Sequence, residues 1–237
     1  MPERKRRLRL RRWPTEDWDH AHAGYRFIKT TFQLPVAWAS RLHVKGRENV
    51  PSAGPVLLAV NHQSWADPVL VGAAIHRPAF YLAKEGLFRN RLAGTFFSAL
   101  GQIKVNRDTG GNEDVIRTAV DCLRRGLVVG VFPEGTRSRP GEVRRGRTGI
   151  ARIAALSGAP VVPVGVDTGD FWPKHAALPR LGAKVYLRIG APMDLRLSPG
   201  DAEDRQKMRD ATDDVMERVA ALLREAVAAK EANEKWR

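Results

Sequence analysis

A histidine and an aspartate separated by four residues follow an apolar run of the chain. His62 and Asp67 stand in the stretch Asn-His-Gln-Ser-Trp-Ala-Asp-Pro at 61–68, directly after Val-Leu-Leu-Ala-Val at 56–60. Histidine ionises near neutral pH and can accept a proton from a substrate as a general base. A carboxylate bonded to the imidazole fixes its tautomer and stabilises the imidazolium that forms. The pair therefore predicts proton-abstraction chemistry, with His62 as the base and Asp67 as its partner.

Asp67 also has a purely structural interpretation. An aspartate followed by a proline is typical of a helix start, with Asp67 as the N-cap and Pro68 in the first turn. One carboxylate can serve both roles, and the sequence leaves them open. A serine hydrolase would use a similar His-Asp pair, but the Gly-x-Ser-x-Gly turn of α/β-hydrolases is absent from the sequence.

Two later segments place arginine and glycine after predicted strands. The first is Gly-Gln-Ile-Lys-Val-Asn-Arg at 101–107, which would carry Arg107 to the end of a strand. The second is Phe-Pro-Glu-Gly-Thr-Arg-Ser at 132–138. There Gly135 permits a tight turn with exposed N–H groups, and Arg137 adds a planar fork of donors. Ligands of open α/β sheets bind beyond the carboxyl ends of the strands, so these groups indicate a phosphate site near the histidine.

The elements that must position these residues alternate between short β-rich runs and helical stretches. Predicted strands are at 42–45, 56–60, 80–82, 102–105, 128–132, 161–164 and 185–189, and predicted helices at 68–75, 88–99, 113–125, 148–157 and 201–230. A capping box at 198–201 is expected to begin the last helix. This alternation predicts an α/β fold with a mixed, mostly parallel sheet of about seven strands flanked by helices, in one domain from 42 to 237.

Residues 1–41 differ in character and are expected to form a basic tail and an amphipathic membrane-contact segment. Residues 1–12 carry seven Arg or Lys and one Glu, a block that either stays solvated or binds an anionic leaflet. Pro35 is expected to end or kink the helix that follows. That helix either packs on the protein's own body or lies in a membrane interface. Its apolar stripe consists of Trp18, Ala21, Tyr25, Ile28 and Phe32.

The charge balance favours an anionic partner. Lys and Arg outnumber Asp and Glu by 40 to 26, which gives a formal net charge of +14. This excess fits nucleic acid, an acidic protein, a phosphate-bearing substrate or an anionic lipid surface, and charge alone does not choose among them. One arginine cluster is either a solvated face or a contact for donor phosphates, an acidic carrier protein or lipid head groups. It consists of Arg137, Arg139, Arg144, Arg145, Arg147 and Arg152.

Cysteine usage and hydropathy narrow the class of protein. Cys122 is the only cysteine in the sequence, so an internal disulfide and a cysteine-based metal cluster are excluded, and its apolar surroundings predict a buried thiol. No stretch approaches the roughly 18–20 consecutive apolar residues of a spanning helix. No apolar core follows the basic start, as it would in a signal peptide. We therefore expect a peripheral protein on the cytoplasmic face of the cell membrane, without a transmembrane helix.

Four segments occur together in an order that one enzyme family shares. They are Asn-His-x4-Asp at 61–67, the strand ending at Arg107, the turn at 132–138 and the strand Val-Val-Pro-Val at 161–164. Over roughly residues 40–190 the chain resembles the glycerolipid acyltransferases, in particular the bacterial 1-acylglycerol-3-phosphate O-acyltransferases. The resemblance implies that His62 and Asp67 are the catalytic pair. It also implies substrate phosphate contacts from Arg107, Glu134, Gly135, Thr136, Arg137 and Lys84, with Asn61 and Pro163 in supporting roles.

The activity that this resemblance implies is direct acyl transfer. A fatty acyl chain would move from the thioester of acyl-CoA or acyl carrier protein to the sn-2 hydroxyl of 1-acylglycerol-3-phosphate, a lysophosphatidic acid. The product would be phosphatidic acid in phospholipid synthesis, made at an anionic membrane surface. The donor leaves as a thiolate, so neither a metal nor a resident cofactor is expected.

Other functions stay open at this point. The same chemistry could act on another lysophospholipid or on a glycolipid, and a non-catalytic relative could bind lipid alone. A nucleic-acid-binding protein would explain the charge, but it leaves the His62 segment and the turn around Glu134 without a purpose. We therefore expect no nucleic acid partner.

Overall fold

A seven-stranded sheet lies at the centre of the computed structural model of the protein, which describes residues 25–88, 90, 94–95, 98, 100–105, 111–168, 171–172 and 179–233. The strands are β1 (His43–Lys45), β2 (Val56–Val60), β3 (Ala79–Lys84), β4 (Gln102–Val105), β5 (Val128–Val131), β6 (Val161–Asp167) and β7 (Tyr186–Ile189). Their order across the sheet is β1-β7-β6-β2-β5-β3-β4.

Most neighbouring strands run in the same direction. The pairs β6–β2, β2–β5, β5–β3 and β3–β4 are parallel, β7 is antiparallel to β6, and β1 is parallel to β7. The prediction of a mixed, mostly parallel sheet of about seven strands is confirmed. Every residue of β2 is buried because helices cover both faces of the sheet, which is the usual condition of a parallel sheet.

Side chains of β2 alternate between two cores. Val56, Leu58 and Val60 pack with Leu70 on one face of the sheet. Leu57 and Ala59 point to the other face, in a cluster with Ile116, Leu123, Ile150, Ile153, Val215 and Val219. This alternation follows from the period of two in a strand. It produces three layers, with β2 in the middle of the protein.

Five α-helices lie wholly within the described residues: α1 (Leu34–Ala39), α2 (Asp67–Ala74), α3 (Gly111–Arg124), α4 (Gly149–Ser157) and α5 (Arg205–Glu231). The α5 helix lies across β6 so closely that a Cβ on Gly165 would come within 2.3 Å of the backbone nitrogen of Leu223. Most of the helix predicted at 88–99 falls outside the described residues.

The start of the last helix differs from the prediction. The capping box at Ser198 exists, with the Asp201 carboxylate accepting from the Ser198 N–H at 2.8 Å, but it opens a short 3₁₀ turn, Pro199–Glu203. The α5 helix begins only at Arg205, and its N-cap is Asp204. The Asp204 carboxylate accepts from the backbone N–H groups of Gln206 and Lys207. Asp204 has an extended backbone, so it interrupts the helical run between the two caps.

The N-terminal helical segment continues through Pro35 instead of ending there. Residues 25–28 are helical, a π turn (Lys29–Gln33) follows, and α1 then contains Pro35 in its first turn. The wider turn directly before α1 accommodates a ring that excludes the usual hydrogen bond. Among the described residues, no helix has the length and apolarity that crossing a bilayer requires.

Two faces of this segment are apolar, and the predicted stripe is on the inner one, where Ile28 and Phe32 are half-buried. Tyr25 is buried and Lys29 donates to the backbone oxygen of Ile75 at 2.5 Å, so this face packs on α2. Trp18 and Ala21 of the predicted stripe lie outside the described residues. Another face is exposed and apolar. The side chain of Phe27 is 65% exposed and that of Trp38 is 85% exposed, and Leu34, which lies between them in the sequence, is exposed as well. We call Phe27, Leu34 and Trp38 the outer aromatic face.

Cys122 provides a test of the packing of α3. It is buried in the core, and burial raises the pKa of its thiol from 9.0 to about 11. At mildly alkaline pH the native thiolate population should therefore be on the order of a hundredfold below that of an ordinary thiol. We expect a small thiol reagent to label the native protein at least that much more slowly than the urea-unfolded protein. Equal labelling rates would contradict the packing described here.

Candidate active site

The site begins where β2 ends, at a side chain that continues the sheet. Asn61 is fully buried, its Nδ2 donates to the Val166 oxygen at 2.9 Å, and its Oδ1 accepts from the Val166 N–H at 2.7 Å. The amide group thus replaces a peptide unit beside β6 after the backbone of β2 has turned away. The direction of the following residue, His62, is fixed by this pairing.

His62 and Asp67 form the predicted pair. The distance between His62 Nδ1 and Asp67 Oδ2 is 2.8 Å, and the aspartate is completely buried while a fifth of the histidine side chain is exposed. Because an aspartate carboxylate only accepts hydrogen bonds, Nδ1 carries the proton. The second ring nitrogen, Nε2, is then the atom with a free lone pair. This is the tautomer that a general base requires.

Asp67 does not cap α2 in the predicted way. The helix begins at Asp67 itself, and the N-cap position belongs to Ala66, which makes no side-chain cap bond. The carboxylate turns backwards instead, where Oδ2 accepts from the N–H groups of Gln63 and Ser64 at 2.7 and 2.8 Å. The loop of residues 62–67 is therefore closed around one oxygen atom, which also holds the imidazole.

Two aromatic rings support the imidazole from behind. Phe132 stacks on His62 with 4.1 Å between ring centroids, and Tyr81 stacks on Phe132 at 5.5 Å. Burial raises the pKa of Tyr81 well above its ordinary value, so this hydroxyl remains neutral. A Cβ on Gly130 would come within 2.2 Å of the Tyr81 ring, which explains why β5 has a glycine there. Sequence reasoning gave no role to Tyr81, since an aromatic residue in a buried strand is ordinary core.

The turn at 132–138 binds both backbone polar groups of His62, its N–H and its carbonyl oxygen. Glu134 Oε1 accepts from the His62 N–H at 2.8 Å, while the N–H and the hydroxyl of Ser138 donate to the His62 oxygen at 2.7 and 3.0 Å. Glu134 Oε2 accepts from the N–H of Arg144 at 2.9 Å. This carboxylate is 4% exposed, and burial raises its pKa although the amide bonds act in the opposite direction.

A cavity of about 490 Å³ opens beside His62. Its polar lining includes Gly135, Thr136, Arg137 and Arg147. Gly135 has a φ of +70°, and a Cβ there would lie 2.7 Å from Nε of Arg147, so the turn needs glycine for both reasons. The apolar lining comes from several elements and includes Leu82, Leu100, Ile116, Val131, Ile150 and Ile153. The cavity therefore combines anion-binding groups with room for an alkyl chain.

The remaining predicted residues have other placements. Lys84 is the last residue of β3, and Arg107 lies outside the described residues. Pro163 is buried within β6 opposite Ala59 of β2, where it belongs to the scaffold. Within the arginine cluster, Arg152 is paired with Glu113 and Glu203, whereas Arg139, Arg144, Arg145 and Arg147 have exposed side chains.

Removing the Asp67 carboxylate should destabilise the fold as well as the base. Asp67→Ala leaves two backbone N–H groups unpaired in a buried loop, and each such group costs about 1–3 kcal/mol. We expect urea unfolding to show that the free energy of unfolding falls by about 2–5 kcal/mol. Asp204→Ala is the matched control, because Asp204 also accepts from two N–H groups but at an exposed cap, where about 1 kcal/mol is expected. Equal losses for the two variants would contradict the role of burial.

Known proteins are similar to this chain in sequence and in architecture. The family model described as Acyltransferase matches residues 41–167, more than half of the chain. The 1-acyl-sn-glycerol-3-phosphate acyltransferase of Bacillus subtilis is 30% identical over 171 residues, which cover 71% of this chain and 82% of that relative. The protein of the same name from Pseudomonas aeruginosa is 28% identical over 179 residues, covering 72% of this chain and 68% of its own.

A solved structure agrees with these sequence matches. The crystal structure of the 1-acyl-sn-glycerophosphate acyltransferase PlsC from Thermotoga maritima superposes with a TM-score of 0.69 at 26% identity, and the match covers 92% of this chain and 83% of that one. The segment that the family model matches contains the His62–Asp67 loop and the turn at 132–138. This chain belongs to the acyltransferase family.

Proposed function

We propose that the protein transfers a fatty acyl group from a thioester donor to the sn-2 hydroxyl of a 1-acylglycerol-3-phosphate. The observation that carries the proposal is the His62–Asp67 pair, held in the tautomer of a general base at the wall of a cavity with anion-binding groups. The names of the matched relatives support the phosphate-bearing acceptor. The donor, acyl-CoA or acyl carrier protein, enters the proposal as one chemical class, the acyl thioester.

In the proposed reaction, Nε2 of His62 takes the proton from the acceptor hydroxyl while that oxygen attacks the thioester carbonyl. The buried carboxylate of Asp67 stabilises the imidazolium that results. The carbon–sulfur bond then breaks, the thiolate leaves, and the imidazolium returns a proton to the sulfur. The enzyme forms no covalent intermediate and ends each turnover with neutral His62. Because a thiolate is a good leaving group, these reaction steps need no Lewis acid.

The acceptor phosphate is proposed to bind at the turn that follows β5. Gly135 offers an exposed backbone next to the donors of Arg137, and charge-assisted bonds to phosphate are among the strongest in proteins. Thr136, Lys84 and Arg107 complete the proposed set. Glu134 contributes to this site through the shape of the turn, since both of its carboxylate oxygens are already bonded to backbone N–H groups.

Acyl transfer is tested with purified protein, lysophosphatidic acid and a long-chain acyl-CoA. We expect phosphatidic acid to form and the rate to fall at least about a hundredfold in His62→Ala, because a positioned base contributes about 10²–10⁴-fold. His76→Ala is the matched control, since His76 is exposed beyond the end of α2 and should not affect the rate. If acyl-CoA fails, acyl carrier protein is the donor to test. A His62→Ala variant as active as the wild type would overturn the mechanism.

We further propose that the outer aromatic face attaches the protein to a membrane surface. The start of β1 lies opposite Tyr186 of β7, and Tyr186 also lies opposite Asp167 at the end of β6. Because β6 is parallel to β2, the helix α1 enters the sheet at the edge where the site lies. The exposed tryptophan of α1 lies towards this edge, and exposed aromatic side chains suit the interface between head groups and acyl chains.

The attachment is tested by co-sedimentation with vesicles that contain anionic phospholipid. Replacing Phe27, Leu34 and Trp38 together by serine should weaken binding at least about tenfold, because each buried apolar side chain contributes about 1.5–3 kcal/mol. Thr30→Ser with Thr31→Ser changes the same segment but removes only two methyl groups, and it should bind nearly as the wild type does. Binding by the outer aromatic face should also persist at raised salt. Full retention of binding by the triple variant would refute this attachment.

A further inference from the structure

One aromatic side chain of the site loop has no part in the mechanism so far. Trp65 lies between His62 and Asp67, and its side chain is 53% exposed at the wall of the cavity. The guanidinium carbon of Arg137 lies 4.7 Å from the centroid of the indole ring. The two segments that form the site, the loop at 62–67 and the turn at 132–138, therefore meet through this contact as well as through the His62 peptide.

The ring holds the arginine without using its donors. Among the described residues, Arg137 makes neither a hydrogen bond nor an ion pair, and its Nη1 is shielded from solvent without a partner. A shielded N–H group without an acceptor raises the free energy of the protein, so an oxygen anion that accepts from it is stabilised. The face of a guanidinium can stack on an aromatic ring while all of its N–H groups, which lie in the plane, stay available for such an anion.

We propose that Trp65 is a positioning residue that sets the preference for phosphate-bearing acceptors, because its indole holds the Arg137 guanidinium in place beside His62. This inference rests on the proposed function and deepens it. An arginine side chain that is free to rotate loses conformational entropy when it binds a phosphate, and a side chain that is already stacked loses less. The stacked arginine should therefore favour an acceptor with a phosphate over the same acceptor without one.

The test compares Trp65→Leu, which removes the ring, with Trp65→Phe, which keeps one. Each is assayed with lysophosphatidic acid and with the neutral monoacylglycerol of the same chain length, in the same detergent micelles. We expect Trp65→Leu to raise the KM for lysophosphatidic acid about 3- to 30-fold, the range that a cation–π contact supplies, with kcat and the donor KM nearly unchanged. The preference for lysophosphatidic acid over monoacylglycerol should fall by the same factor. Trp65→Phe should stay within about threefold of the wild type.

A double-mutant cycle shows whether the ring acts through the arginine. In the Arg137→Ala background, Trp65→Leu should add no further loss, since the contact is already gone. Trp38→Leu is the matched control for loss of an exposed indole, and it should change both acceptors alike. The proposal is overturned if Trp65→Leu leaves the preference unchanged, lowers activity on both acceptors equally, or has its full effect without Arg137.

Binding without turnover separates this inference from the proposed reaction. Calorimetry with short-chain lysophosphatidic acid on the His62→Ala variant should show binding that weakens about 3- to 30-fold when Trp65→Leu is added. If the wild type transfers no acyl group but this weakening is observed, the proposed reaction fails and the role of Trp65 stands. If the wild type is active and no weakening is observed, the reaction stands and the role of Trp65 is refuted.

Discussion

The buried carboxylate of Asp67 is the interaction on which the site depends. One of its oxygens accepts from the imidazole of His62 and from two peptide N–H groups of the same loop. Burying a carboxylate is costly unless such bonds compensate for lost hydration. Here the compensating donors include the imidazole proposed as the general base. The shape of the loop and the tautomer of the base are consequently determined by the same atom, and neither can change alone.

The rest of the fold gives that loop a rigid support. The strand β2 has neighbours on both sides and helices on both faces, so the chain leaves the sheet at a fixed point, which the amide of Asn61 extends by one residue. The turn after β5 then binds the backbone of His62, and Phe132 stacks on its ring. A base that must lie within hydrogen-bond reach of a substrate hydroxyl needs such support from several elements.

The strands and the pairing of His62 with Asp67 were predictable because their signals are local. Short apolar runs bounded by glycine, proline and polar residues identify all seven strands within a few residues, and the spacing of His62 and Asp67 is visible in the sequence itself. The position of Gly135 in a tight turn was predictable for the same reason, and its positive φ agrees with it.

Other features depend on partners that a sequence does not display. The atoms that bind Glu134 are backbone N–H groups, one of them 72 positions away, and every residue except proline has such a group. The sequence left open which face of the N-terminal segment meets the protein, because apolar residues occupy two of its faces. Tyr25 packs inward while Phe27 and Trp38 point outward, and helical periodicity alone does not say which face meets the protein.

The hydrogen bonds between distant segments and the His62 loop also have a consequence for how the protein folds. Contacts across 72 and 105 positions of the chain close large loops. The chain loses conformational entropy when such a loop closes, before the new contacts stabilise it. Strands β5 and β6 must therefore dock beside β2 before the imidazole has its final position. A chain that has formed its helices and part of its sheet still lacks a positioned His62 imidazole. Recovery of activity during refolding would thus follow the slowest long-range docking event, later than the recovery of helical structure.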